Sequence, residues 1–391
     1  MNDVTFTKSN GNLARVLTGE DHISGIMYLT PNGTALPAGF GTSEIKVITD
    51  IYDAEAQGIT ASAAAYKVLH YHIGEFFRIN PSATLYVQII AEPAVGAPDF
   101  EEIKELQAFA GGKIRQVGVF CDNAFATSQV TLLQGVADDL EDDHMPLSIL
   151  LVADFHAVSD LSALSDLRAL AAPNVSVILG QDGAGAGKVL FDALDITIGC
   201  LGAALGALSL AAVSESIAWV KKFNMVSGTE LDSPALGEGT LVKDLTTTVL
   251  TAIGVKGYVF LRKFVGLTGS YFNDNHTCAL VTSDYAYIDN VRTIDKAIRG
   301  IRTFILPELN GKLRIDATAG TLAIDTIKYF EALAKRPLAQ MQSEGDLSGY
   351  DVYIDPEQDV LSNSNLDIQV DLVPFGTARS ISVTVGFTTS V

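Results

Sequence analysis

Residues 147–153, Leu-Ser-Ile-Leu-Leu-Val-Ala, decide how this chain is read. A strand with one wet face alternates apolar and polar residues, whereas a strand covered by helices on both faces can be apolar almost throughout. Residues 174–179 (NVSVIL) repeat the signal, and residues 161–170 between them read as a helix behind the capping candidate Ser159. The same rhythm extends toward the amino terminus. Residues 45–48 are a short β-branched strand, and residues 61–77 carry Tyr66, Leu69, Ile73, Phe76 and Phe77 at helical spacing until Pro81 closes the helix. Residues 84–91 (TLYVQIIA) read as a strand, 100–109 as a helix, 116–121 as a strand and 130–140 as a helix running into an acidic end. Strands alternating with helices predict an α/β fold, a largely parallel sheet flanked by helices and joined by right-handed crossovers.

Beyond this core, residues 227–239 (SGTELDSPALGEG) are rich in Gly, Ser, Pro and acidic side chains and mark a boundary or surface loop. Residues 257–264 then read as a strand, 285–304 as a helix, 324–336 as a second helix ended or kinked at Pro337, and 350–355 as a strand. The expected organisation is an extended amino-terminal arm over 1–25, an α/β core over 26–226, a carboxy-terminal subdomain over 240–361, and a β-hairpin arm over 362–391.

Composition narrows the function. The net charge of −20 opposes general binding to nucleic acid, whose phosphates attract clustered Lys and Arg. Cys121, Cys200 and Cys278 are isolated and odd in number, which indicates neither a disulfide framework nor a zinc site, and a reducing cytosol fits. The first ten residues (MNDVTFTKSN) lack the basic and apolar blocks of a secretory signal. Residues 196–213 carry no charge and hold Gly202 and Gly206 at small-xxx-small spacing, but their apolar content rests on Ala and Gly. This predicts a buried, closely packed helix rather than a membrane span.

Candidate chemistry fails residue by residue. The Gly-rich turn Gly180-Gln-Asp-Gly-Ala-Gly-Ala-Gly187-Lys188 follows a strand, as a phosphate cradle would. A Walker A loop, however, needs Gly where Asp182 stands and Ser or Thr where Val189 stands, so a flexible loop is expected. His70 and His72 would share a face on a strand, but the local period is helical and separates them. Asp138, Asp139, Glu141, Asp142 and Asp143 lack the ligand spacing of a calcium loop and read as a solvated helix end. No catalytic residue, metal ligand or cofactor is assigned, and the chain is read as no enzyme. The alternative is a cytosolic α/β small-molecule or nucleotide-binding enzyme, which places a ligand near Asp154 or Gly180.

The ends carry a different pattern. Leu366, Ile368, Val370 and Leu372 alternate with polar residues, Pro374 to Ala378 supplies a turn, and Ile381, Val383, Val385 and Phe387 alternate again. This predicts a carboxy-terminal hairpin. Near the other end, Val4 and Phe6 alternate with Thr5 and Thr7. An isolated two-stranded hairpin is marginal in water, so these strands must gain partners. The pattern leaves open whether the partners belong to the same chain or to another copy.

The carboxy-terminal half resembles the tail sheath proteins of contractile phages and contractile injection systems. The resemblance rests on order: Asp284-Tyr-Ala-Tyr-Ile288, the helix from Asn290 to Ile298, the helix around Tyr329 to Leu333, Gly345-Asp-Leu-Ser-Gly-Tyr-Asp-Val352, and the terminal hairpin. Upstream, Gly202 to Leu208 and Val213 to Val220 are similar to that family's small-residue helix. One Arg stands near Asn290 where the family pattern leads one to expect a pair. The resemblance implies a structural virion or injection-particle subunit that self-assembles in stacked hexameric rings, a helical polymer around an inner tube. It implies strand exchange between subunits through Val4, Phe6, Leu366, Ile368, Val370, Leu372, Ile381, Val383, Val385 and Phe387, and contraction that drives the tube through an envelope. The implied partners are other copies, the inner tube protein, and baseplate and tail-terminator proteins, without nucleic acid or direct membrane insertion. Assembly in the bacterial cytoplasm into a phage tail or injection particle follows. Arg292, Lys296, Arg299 and Arg302 fall on one helical face, which reads either as a stripe facing the implied tube or as an ordinary solvated helix face.

Overall fold

The computed structural model describes residues 19–93, 97–317 and 320–388. The chain forms two compact units, Met1–Asp295 and Lys296–Val391. The sequence-expected boundary at 227–239 lies inside the first.

In the first unit the elements run β1 (Ser24–Thr30), β2 (Ile45–Ile48), α1 (Ile51–Ala56), α2 (Lys67–Ile79), β3 (Leu85–Ala91), α3 (Glu102–Phe109), β4 (Gln116–Ala124), α4 (Thr127–Asp142), β5 (Ser148–Asp154), β6 (Val175–Ile178), β7 (Gly180–Asp182), α5 (Ala186–Leu194), α6 (Leu201–Leu210), β8 (Pro234–Leu236), α7 (Thr247–Val255), β9 (Tyr258–Val259), β10 (Leu261–Arg262) and β11 (Tyr271–Phe272). Seven strands form one sheet in the order β2-β3-β1-β4-β5-β6-β9. All neighbours are parallel except the edge pair β2 and β3. This is the doubly wound α/β architecture that the strand and helix alternation predicts.

The two faces explain the uninterrupted apolar strands. Along β5, Leu150 and Val152 enter the core beneath α2 and α6, while Ile149, Leu151 and Ala153 enter the core beneath α3, α4 and α7. The central strand β1 divides in the same way, with Ile26 and Tyr28 on one side and Met27 and Leu29 on the other.

The glycines at 202 and 206 set how closely α6 approaches α2. A side-chain carbon at Gly202 would overlap the His72 carbonyl, and one at Gly206 would lie 2.9 Å from the Phe76 carbonyl oxygen. The small-residue helix is therefore buried against another helix. Among the described residues no helix is long and apolar enough to cross a membrane.

Two expected elements take other forms. Residues 161–170 form two 3-10 turns, Leu161–Ala163 and Leu167–Leu170, because the Asp160 and Asp166 side chains each cap a new turn. The strand expected over 257–264 breaks at Phe260. The Asn273 side chain accepts from the Phe260 N–H at 2.8 Å and donates to the Tyr258 carbonyl at 3.1 Å, and the chain beyond pairs with β11 instead.

The division between units falls within α8 (Ile288–Ile305). The second unit continues with α9 (Ile324–Glu344), β12 (Gly349–Tyr353), α10 (Val360–Asn363) and β13 (Gln369–Val373). The helix α9 does not end at Pro337. Pro337, Ala334, Leu338 and Met341 are buried on one side of it, so packing outweighs a cost of about 3 kcal/mol for an interior proline. Ala297, Ala334, Leu338, Met341, Leu347 and Val352 form this unit's main core.

Candidate interaction site

The carboxy-terminal segment departs from the expected hairpin. The strand β13 pairs antiparallel with the upstream β12, from Gly349↔Val373 to Tyr353↔Gln369, and not with residues 381–387. Ile368, Val370 and Leu372 pack on the α9 core while Asp367, Gln369 and Asp371 face outward. An upstream partner wins because it brings Val352 and Tyr350 onto the same core, which a turn at Pro374 could not do.

After Pro374 the chain has no strand partner among the described residues. Ile381, Val383, Val385 and Phe387 are 80%, 77%, 88% and 112% exposed. A period-two apolar row is thus bare along its length, a short way down the chain from a sheet of only two strands whose outer edges carry no strand among the described residues. Such a segment is fitted chemically for main-chain pairing with a sheet edge and burial of alternate side chains. Val4 and Phe6 lie outside the described residues.

The basic stripe is less uniform than its spacing implies. Arg292 is 3% exposed and its guanidinium donates to the carbonyls of Asp21, Ala211 and Ala212 within the first unit. Lys296 pairs with Asp346 at 2.6 Å and Glu344 at 3.1 Å in the second. Arg299 and Arg302 are partly exposed. Helical spacing shows which side chains share a face, and it does not show which of them are already covered.

The places where a small molecule would sit hold the chain's own groups. At the carboxyl end of β5, Asp154 Oδ1 accepts from the His156 and Thr197 backbone N–H groups, both at 2.9 Å. A side chain at Gly180 would press on the Phe260 backbone at 2.8 Å. The Gly-rich turn is pinned, not loose: β7 pairs with β8, and the Ala186 N–H at the start of α5 donates to both carboxylate oxygens of Glu230 at 3.0 Å. An anion position at that helix end is therefore filled by a carboxylate. In the second unit a pocket of about 200 Å³ opens beside Lys312, Arg314, Asp325 and Tyr329. This is below the roughly 300–1,000 Å³ of ordinary ligand sites.

The histidines separate as expected. His70 Nε2 meets Glu55 at 3.0 Å, while His72 is buried, with Nδ1 accepting from the Gly202 N–H at 3.4 Å. Burial lowers the His72 imidazole to about 3. Among the described residues no cluster of His, Cys, Asp or Glu could hold a metal ion. All three cysteines are buried and free.

The site and fold define an α/β scaffold with a bare strand-forming end. The chain belongs to the DUF2586 family, whose N-terminal domain matches residues 1–276 and whose C-terminal domain matches residues 284–391. No curated protein matches the sequence. The fold is shared with a chain of the anti-feeding prophage (AFP) baseplate, solved by cryo-EM with 6-fold symmetrisation. The TM-score is 0.63 at 14% identity, covering 99% of each chain. It is also shared with a chain of the contracted sheath complex of PVC, an extracellular contractile injection system, with a TM-score of 0.53 at 13% identity, covering 100% of this chain and 98% of that one.

Proposed function

We propose that this protein is a structural subunit of a contractile tail sheath, polymerising as stacked hexameric rings around an inner tube. Its terminal strands join the sheets of neighbouring copies, and contraction drives the tube through a target envelope. One observation carries the reading: residues 381–387 present a complete strand pattern with every apolar side chain bare, in a unit whose β12-β13 sheet has only two strands. Burying four such side chains is worth roughly 1.5–3 kcal/mol each before ordering costs. That is enough to hold neighbours together when summed around a ring. Whole-length likeness to chains of two contractile injection particles supports the same reading.

On this reading the tube contact falls to the outer part of the basic stripe, Arg299 and Arg302, with Lys296 and Arg292 supporting α8 from within each unit. Other copies, the tube protein, and baseplate and terminator proteins are the partners, and assembly takes place in the bacterial cytoplasm. Catalysis has no part in it. A second reading is favoured by the higher of the two TM-scores, which belongs to a baseplate chain: a ring-forming subunit at the end of the particle.

Electron microscopy of the purified protein distinguishes the readings. Long cogwheel tubes are expected for a sheath and isolated rings for a baseplate subunit. Discrete monomers at all concentrations would refute both.

A further inference from the structure

The turn that fails as a phosphate cradle holds two carboxyl groups facing each other. Asp182 is 1% exposed. Its Oδ1 accepts from the N–H groups of Ala184 at 3.1 Å and Leu231 at 3.2 Å, whereas its Oδ2 is buried with no hydrogen-bond partner. Glu230 comes to the same place from the loop before β8. A side chain at Gly185 would collide with both Asp182 Oδ2 and Glu230 Oε2, so the two oxygens converge on one small space that only glycine leaves open.

Glu230 is only partly buried, but two ionised carboxylates facing each other across such a space still repel, which favours a proton on one of them unless something positive lies between them. The groups around them supply no spare cation. From α2, Arg78 is held by Glu75 at 2.9 Å and by the Met225 carbonyl at 2.9 Å. Tyr71, also on α2, and Cys200, just before α6, are buried neutral groups, both pushed upward first by burial and then by Glu75 or Asp182. Tyr71 has no partner for its hydroxyl. The remaining positive end is α5 itself, whose Ala186 N–H already points at Glu230. A helix amino terminus stabilises one negative charge and disfavours a bound metal cation.

We propose that Asp182 and Glu230 share a single proton, forming an acid-stabilised latch that ties the α5 turn to the β7-β8 pair. The Glu230 side supports this. Burial, and then Asp182 beside it, push its carboxyl above the ordinary range, against the lowering effect of the Ala186 N–H. The sign follows from linkage. A carboxyl whose pKa is raised by folding holds its proton where the unfolded chain has lost it. The latch is therefore complete at and below the ordinary carboxyl range and weakens as pH rises through the raised value.

The test is Glu230→Gln in the full chain, with Asp182→Asn as its mirror. Either amide donates permanently across the gap while its carbonyl keeps the existing N–H contacts. Thermal unfolding between pH 5 and 8.5 should find the variants and the parent alike at the acid end, with the variants ahead by a few degrees at the alkaline end. Any contribution from His72 is common to all three proteins and cancels in the difference. Difference infrared spectroscopy gives an independent readout: a protonated-carboxyl C=O band should persist above the ordinary carboxyl range in the parent and vanish in Glu230→Gln. Variants less stable than the parent by the same amount at every pH, or no such band, would overturn the latch. So would calcium or magnesium raising the parent's unfolding temperature and not that of Glu230→Gln, because a metal would then occupy the gap.

Discussion

Strand β5 and the segment 381–387 are both seven-residue stretches with strand patterns, yet one is buried from Ser148 to Ala153 and the other is bare throughout. Around β5 the chain supplies everything the strand needs. Parallel neighbours satisfy its main chain on both edges, and helices cover both faces. Around 381–387 no pairing strand is found among the described residues, although β12 and β13 show that the same unit can build antiparallel sheet. On the proposed reading, the first region carries folding information and the second assembly information. Solvent exposure of so regular a row is costly for a lone monomer and useful for a polymer.

The largest effect should come from removing the bare segment. Deleting residues 374–391 should abolish polymerisation, read as loss of tubes or rings in electron micrographs and of fast-sedimenting material. The unfolding temperature of the remaining monomer should change little, because the apolar side chains removed, Ile381, Val383, Val385 and Phe387, are bare and the Ser348 hydroxyl that donates to the Pro374 carbonyl at 3.1 Å is itself exposed. The cut belongs after Val373, since Val370 and Leu372 belong to the second unit's own core. A milder version, Val383→Asp with Val385→Asp, should give the same loss of assembly. Intact tubes from either variant would show that the segment is not the joining strand.

How much of this was legible depended on whether a feature is local. The apolar runs at 147–153 and 174–179 are local and appear as β5 and β6 with small shifts at their ends. Gly202 and Gly206 announced a close helix contact, and the structure adds that the contact is with α2. The central strand β1 went unread because its Ser24–Thr30 run straddles the edge of an expected arm and contains Gly25. That glycine is there for packing: a side chain would lie 3.0 Å from Leu106 and 3.2 Å from Val117. The partner of β13 was not legible at all. Period two says that a segment is a strand and which face is apolar, but pairing with β12 rather than with 381–387 is decided by the core on α9. The coverage of Arg292 by backbone carbonyls from distant residues is non-local in the same sense.

Next in size is a pH effect confined to the folded core. His72 titrates near 3 in the folded chain and near 6.5 when unfolded, because burial disfavours its charged form. Between those values the unfolded chain binds a proton that the folded one does not. Stability should therefore be full above about pH 6.5 and decline as pH falls, by up to about 4 kcal/mol near pH 3 at 1.36 kcal/mol per pKa unit. Denaturant titrations of the parent and of His72→Gln across pH 4 to 7 would isolate this term. An equal slope in both would remove His72 as its source.

The smallest effects sharpen the contrast between covered and bare positions using one substitution at two glycines. Ala is the better helix former by about 1 kcal/mol, so Gly→Ala in a helix should stabilise unless the new methyl group has nowhere to go. Gly135, on the exposed side of α4, has nothing within 4 Å of the place where that methyl would sit, and Gly135→Ala should gain roughly 0.4–1 kcal/mol. At Gly202 the methyl would overlap the His72 carbonyl, which is backbone within α2 and cannot rotate away. Overpacking of this kind costs about 1–3 kcal/mol, and the helix gain offsets only part of it. Gly202→Ala should thus destabilise by up to about 2 kcal/mol, the cost less the helix gain, with opposite signs expected from chemically identical changes in one chain. Matching signs in chemical denaturation would mean that α6 does not lie against α2 as closely as its glycines allow.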